Sequence, residues 1–169
     1  LGCFAAAVVL FLAGAVFYDQ TSTSELREYE SLMRTYESGP KDAAAFNDTV
    51  TKLVKMTDKS WFGYVHNNGY YIAGGMYFEH KMYDEAKGCY LKFADRSSSP
   101  VLAPLALSQA AVCAESTEKY DEALALYKKI EKSYKDSGFN DRLLYDLGRL
   151  YQKKGEKVTA KEYFNKVIS

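Results

Sequence analysis

At 169 residues the chain has room for about one domain. Its 22 basic and 22 acidic residues cancel, so no net field draws it to nucleic acid. Two histidines, and three cysteines without a Cys-x-x-Cys pair, leave little material for a metal or redox centre.

Residues 1–18 contain no charge. As a helix they would extend about 27 Å, close to the ~30 Å hydrocarbon core of a bilayer. The reading adopted is a transmembrane anchor, with Phe17 and Tyr18 at the interface. The rival is a cleaved signal peptide ending near Ala13-Gly14-Ala15. A buried core helix conflicts with a run that is apolar on every face. The chain opens on Leu1, so residues upstream are expected. Leu1-Gly2-Cys3 resembles the tail of a lipobox, although there the apolar run precedes the cysteine; otherwise Cys3 is one more apolar residue in lipid. Beyond the run come Asp19, Glu25 and Glu28, with Arg27 the only base before Arg34. A base-poor flank favours the outer side of the membrane.

Ser22 and Glu25 fit a capping box, predicting a helix from there to about Ser38. Leu26, Tyr29, Leu32, Met33 and Tyr36 fall on one face, and Gly39-Pro40 stops it. The same helix can also run on unbroken from the apolar stretch. A second helix is predicted from about Lys41 to Lys59, with Ala45, Phe46, Val50, Leu53 and Val54 as its stripe. Ser60 would cap a third, from Trp61 to about His80, rich in aromatic rings.

From Tyr70 onward one frame occurs three times. It reads Tyr70, Ala73, Gly74, Tyr77, Ala86, Tyr90, Phe93; then Leu107, Ala110, Ala111, Ala114, Ala123, Tyr127, Ile130; then Leu144, Leu147, Gly148, Tyr151, Ala160, Phe164, Val167. Steps of three and four mark helix faces, and Gly155 permits the turn between two of them. The three alanines stand 37 residues apart (123 − 86 and 160 − 123), and Tyr-Asp-Glu-Ala recurs at 83–86 and 120–123. A fixed period of amphipathic hairpins predicts stacked repeats, because no hairpin buries its stripe alone. The frame resembles the tetratricopeptide repeat, whose usual period is 34. The surplus residues fall between repeats, around Asp95–Pro100 and Tyr134–Gly138, as in bacterial envelope repeat proteins. The expected fold is therefore all-α: a transmembrane helix at 1–18, a degenerate helical pair at 19–59, and an α-solenoid over 60–169 with hairpins at about 67–100, 104–137 and 141–169.

The resemblance implies a protein- or peptide-binding groove lined by the first helix of each pair. The groove positions are Asn68, Tyr71, Gly75 and Phe78; Leu105, Ser108, Val112 and Glu115; and Arg142, Tyr145, Arg149 and Gln152. One end is aromatic, the other basic. An apolar segment near Tyr71 and Phe78, with an acidic group near Arg142 and Arg149, is the expected ligand. The opposing reading covers the rings with the degenerate pair and leaves the arginines as a solvated face. Family members that clamp chaperone tails use Lys and Asn. Here Tyr71, Gly75, Gln109, Arg142 and Asp146 take those places, so such binding is not expected.

No nucleophile, base and orienter set appears, and neither an enzyme activity nor a cofactor is expected. Asn47-Asp48-Thr49 is a glycosylation sequon by pattern only. Cys89 and Cys113 fall on helices that pack together, as small buried thiols or, in an oxidising compartment, a disulfide. Anchor, degenerate pair and repeats in this order resemble the bacterial inner-membrane ancillary subunit of the Sec translocon. That implies a periplasmic repeat domain on a single-pass anchor, partnered by translocon subunits and a membrane-bound folding factor. The alternative is an envelope assembly factor for outer-membrane proteins or the cell wall.

Overall fold

The computed structural model describes residues 2–40, 42–134 and 140–168, and every regular element among them is helical. The helices are α1 (Gly2–Ser38), α2 (Ala43–Lys59), α3 (Gly63–Glu79), α4 (Tyr83–Arg96), α5 (Leu102–Ser116), α6 (Tyr120–Ser133), α7 (Asn140–Lys153) and α8 (Lys157–Val167). The chain divides into two compact units, Leu1–Gly69 and Tyr70–Ser169, with the division inside α3. Lys41, most of the segment after Tyr134, and the side chains of the lipobox-like Leu1-Gly2-Cys3 lie outside the described residues.

In the first unit α1 is one helix of 37 residues, so the expected capping box at Ser22 does not form. Hydroxyls of the polar part bond back to the preceding turn, Ser24 Oγ donating to Thr21 O at 3.0 Å and Thr35 Oγ1 to Ser31 O at 2.8 Å, and so are satisfied within the helix. The transmembrane anchor and the single-pass inner-membrane location are corrected here. Among the described residues no helix is long and apolar enough to cross a membrane. Asp19 opens a polar tract within α1.

Helix α2 starts on an Asp42 cap, whose carboxylate accepts from Ala45 N–H at 2.8 Å. Its buried stripe is Phe46, Thr49, Val50, Leu53 and Thr57. The expected Ala45 and Val54 are only half-buried. Two threonines enter the stripe because each is small, and Thr57 Oγ1 donates to Leu53 O at 2.8 Å, which satisfies its hydroxyl. A Cβ at Gly69 of α3 would collide with Thr57, so glycine permits the close approach. Ser60 does not cap α3. It closes α2, its N–H donating to Met56 O at 3.0 Å, while its hydroxyl donates to the Glu25 carboxylate of α1. Tyr18 stacks on Phe62 at 4.6 Å, and Tyr29 lies 5.4 Å from Tyr64.

In the second unit the 37-residue frame is visible in the backbone itself. The residues between paired helices, Lys81, Glu118 and Gly155, have φ of 60°, 59° and 81°. The next N–H closes the turn identically each time: Met82 to Tyr77 O, Lys119 to Ala114 O and Glu156 to Tyr151 O, all at 2.9 Å. Ala86, Ala123 and Ala160 then sit one turn into α4, α6 and α8, with exposures of 0%, 0% and 3%. A small residue of the first helix faces a ring of the second. A Cβ at Gly74 would come 2.9 Å from the Tyr90 ring, and one at Gly148 would come 2.6 Å from Phe164. Cys89 and Cys113 are both buried thiols and are not bridged to each other.

In the last repeat Leu147, Gly148 and Ala160 of the expected frame are buried, and the stripe takes in the neighbouring Leu143 and Leu150, as Ala106 and Cys113 are taken in one repeat earlier. Leu143, Leu147 and Leu150 are buried, whereas Leu144 and Tyr151 are half-buried. Tyr151 instead stacks on Tyr163 of α8 at 5.4 Å and an interplanar angle of 17°.

Candidate functional site

The groove positions expected from the sequence fall on α3, α5 and α7. Asn68 belongs to the first unit, half-buried, its Nδ2 donating to Tyr64 O at 3.0 Å. The remainder belong to the second. Tyr71 and Phe78 are half-buried, and their rings are largely occupied within their own hairpin. Tyr71 meets Tyr90 edge-on at 5.4 Å and Phe93 at 5.2 Å, and Phe78 meets Tyr83 at 5.4 Å. A Cβ at Gly75 would touch only the Tyr90 hydroxyl, at 3.9 Å. The aromatic end therefore offers ring edges and a small gap rather than free faces.

On α5, Leu105, Ser108 and Val112 are half-buried and Glu115 is buried. Glu115 is the centre of a cluster that the sequence reading did not find. Arg149 donates twice to it, Nη1 to Oε2 at 2.6 Å and Nη2 to Oε1 at 2.7 Å. Lys153 Nζ adds a bond at 3.1 Å and Tyr127 OH one at 3.0 Å. Burial opposes the Glu115 charge, but these donors outweigh it and hold the carboxyl below its usual range. Asp146, 3.4 Å from Arg149, goes the other way, because burial raises it more than its cations lower it. The hydrogen bonds that Arg149 donates to Glu115 raise it further above its already high value. The available signal was an acid and a base 34 residues apart on successive first helices, one repeat period of the usual length.

Arg149 is thus engaged by the chain's own carboxylate. Arg142 is different. Its side chain is 67% exposed, and its nearest carboxylate oxygen, on Asp146, lies at 3.8 Å. Tyr145 and Gln152 are exposed on the same helix, with Tyr145 leaning on Phe164 at 5.8 Å. Between α5 and α7, Ser108, Pro104, Arg142 and Asp146 line a crevice of only about 10 Å³. The face is shallow and polar, with three cations around two carboxylates. Among the described residues no set of three or more His, Cys, Asp or Glu side chains gathers as metal ligands.

A larger concavity lies in the first unit, where the sequence reading placed no site. Between α1 and α2 is a groove of about 640 Å³, with Glu28 and Leu32 on one wall and Asp48, Lys52, Lys55 and Met56 on the other. Asp48 and Lys52 pair along α2 at 2.7 Å.

Residues 105–137 and 142–169 match the family model described as tetratricopeptide repeat. No curated relative matches the sequence. Among solved structures the chain is similar to the crystal structure of MamA, with 20% identity and a TM-score of 0.61 over 89% of this chain and 82% of that one. At that identity the likeness bears on the fold alone.

Proposed function

We propose that the chain is a protein-binding scaffold whose α5–α7 face takes up an acidic segment of a partner. The observation that carries this is the charge balance at that face. Glu115 engages Arg149 and Lys153, leaving Arg142 as the outward-facing cation beside Tyr145, Gln152 and the half-buried Leu105, Ser108 and Val112. A shallow polar face with an exposed tyrosine and an arginine suits peptide docking better than enclosure of a small molecule. The two matched repeats and the MamA-like fold support a role in protein association. The translocon role drew on the transmembrane anchor, and no helix among the described residues is long and apolar enough to cross a membrane.

The test is selection from a displayed random peptide library, followed by titration of the enriched peptides. Enrichment of Asp and Glu is expected, with affinity falling about tenfold in Arg142→Glu and in Tyr145→Ala. These sites are preferable to Tyr71 and Phe78, whose truncation would open the hairpin seam. Peptides without acidic residues, or binding indifferent to Arg142→Glu, would overturn the reading.

A further inference from the structure

Two carboxylates share Arg149 on the α5–α7 face, and they share it unequally. Glu115 holds it by paired hydrogen bonds at 2.6 and 2.7 Å and adds Lys153 and Tyr127 as donors. Asp146 receives what is left. Arg149 Nη2 reaches its Oδ1 at 3.4 Å, and Arg142 Nε stands 3.8 Å from its Oδ2, beyond hydrogen-bond range. Its side chain is nonetheless only 14% exposed, enclosed with Pro104, Ser108, Ile130 and Leu143 in the crevice between α5 and α7. Asp146 is thus a buried acid with weak partners beside an acid that holds the strong ones.

The groups that face Asp146 come from three helices. Helix α5 contributes the like charge of Glu115, α6 the Tyr127 phenol, and α7 the two arginines. Helix α8 packs on the opposite side of α7, against Tyr145, Gly148 and Tyr151. Burial, with the Glu115 charge behind it, raises the Asp146 carboxyl in spite of both arginines. Asp146 is therefore the carboxyl of this pair that takes a proton first, while Glu115 is held ionised.

Arg142, the accessible cation of the face, lies one helical turn from Asp146. An acid arriving at Arg142 meets the Asp146 carboxylate as a like charge close by. With the α5–α7 face taken as the seat of an acidic segment, we propose that Asp146 decides when that segment is admitted: ionised, it competes with the incoming acid for Arg142, and it gives way by taking a proton from solvent. Arg142, Arg149 and Lys153 keep their charges throughout. Three cations against two carboxylates leave the face one positive charge, and with Asp146 protonated it carries two. Uptake of the segment is thereby linked to uptake of a proton, and affinity rises as pH falls through the raised Asp146 value. A partner acid that stays charged at low pH keeps this gain, whereas an ordinary carboxylate loses it once it is protonated itself.

The test is calorimetric titration of the full chain with a peptide of six cysteic acid residues, whose sulfonates remain charged, between about pH 7.5 and about pH 4.5. Wild type and Asp146→Asn are compared, and circular dichroism checks that the variant keeps its helices. Wild-type affinity is expected to rise about fivefold on acidification, with a fraction of one proton taken up per peptide, counted from the binding heats in two buffers of different ionisation enthalpy. Asp146→Asn is expected to bind about fivefold more tightly than wild type at neutral pH and to lose both the pH slope and the proton. The same slope in both proteins, or no proton taken up by the wild type, would overturn the proposal and leave the acidic-segment reading standing. The wild-type proton count decides this even where the variant loses its helices. Binding by neither protein at any pH would overturn the proposal and that reading together.

Discussion

The Glu115 carboxylate shows how one residue can tie two repeats together. It is 5% exposed, yet ionised, because Arg149, Lys153 and Tyr127 together supply four donated hydrogen bonds. Removing one partner of a buried pair typically costs about 3–5 kcal/mol. Arg149 reaches solvent, so Glu115→Gln should cost less, about 2 kcal/mol at neutral pH by denaturant titration. The pH dependence follows from the sign of the shift. A carboxyl lowered in the folded state contributes fully above its unfolded value near 4.5, and the contribution fades as pH falls through the lowered value. The gap between wild type and Glu115→Gln should therefore narrow below pH 4.5; a constant gap would assign the effect to packing. Asp146 has the opposite sign, and acid relieves rather than removes its contribution. The turn residues make a second case. Lys81 and Glu118 hold left-handed backbone that costs a side chain about 1 kcal/mol, while Gly155 holds it freely. Lys81→Gly and Glu118→Gly should each raise the melting temperature, and Gly155→Ala should lower it.

Among the elements, the second hairpin was the most legible and α7 the least. Every frame residue of the α5–α6 pair is buried, because repeats on both sides fix its orientation. In α7 the sequence offers two candidate stripes, Leu144 with Tyr151 or Leu143 with Leu150. Which one is buried depends on α6 and α8, information that helical spacing does not carry. The site was partly legible for the same reason. Spacing put Glu115 and Arg149 on one face, but not their mutual capture, which leaves Arg142 as the accessible cation. Helix α1 misled because its apolar and polar halves look like separate elements, whereas one helix runs through both. Small residues opposite rings mark points of close approach between paired helices. Gly148→Ala would force its Cβ to 2.6 Å from Phe164, and a loss of about 1–3 kcal/mol is expected from chemical denaturation. Restoring room with Phe164→Leu in the same chain should recover part of it.

At the scale of the molecule, the second unit is stitched from repeat to repeat by Asp84–Lys119, Lys87–Glu122, Glu115–Arg149 and Asp121–Lys154. Such ties make neighbouring hairpins open together rather than singly. Native-state hydrogen exchange should find the amides of α5 to α7 sharing one opening free energy, which Glu115→Gln lowers for all of them. Exchange that slows or quickens in α7 alone would show independent hairpins. The recurrence of one left-handed residue and one 2.9 Å closure at Lys81, Glu118 and Gly155 also makes the chain modular at the level of the gene. Excising codons 82–118 would join Lys81 directly to Lys119 and hand α3 a new mate, α6, through an unaltered bend. Duplicating the same codons would lengthen the array by one hairpin, so its reach can be edited in whole steps of 37 residues.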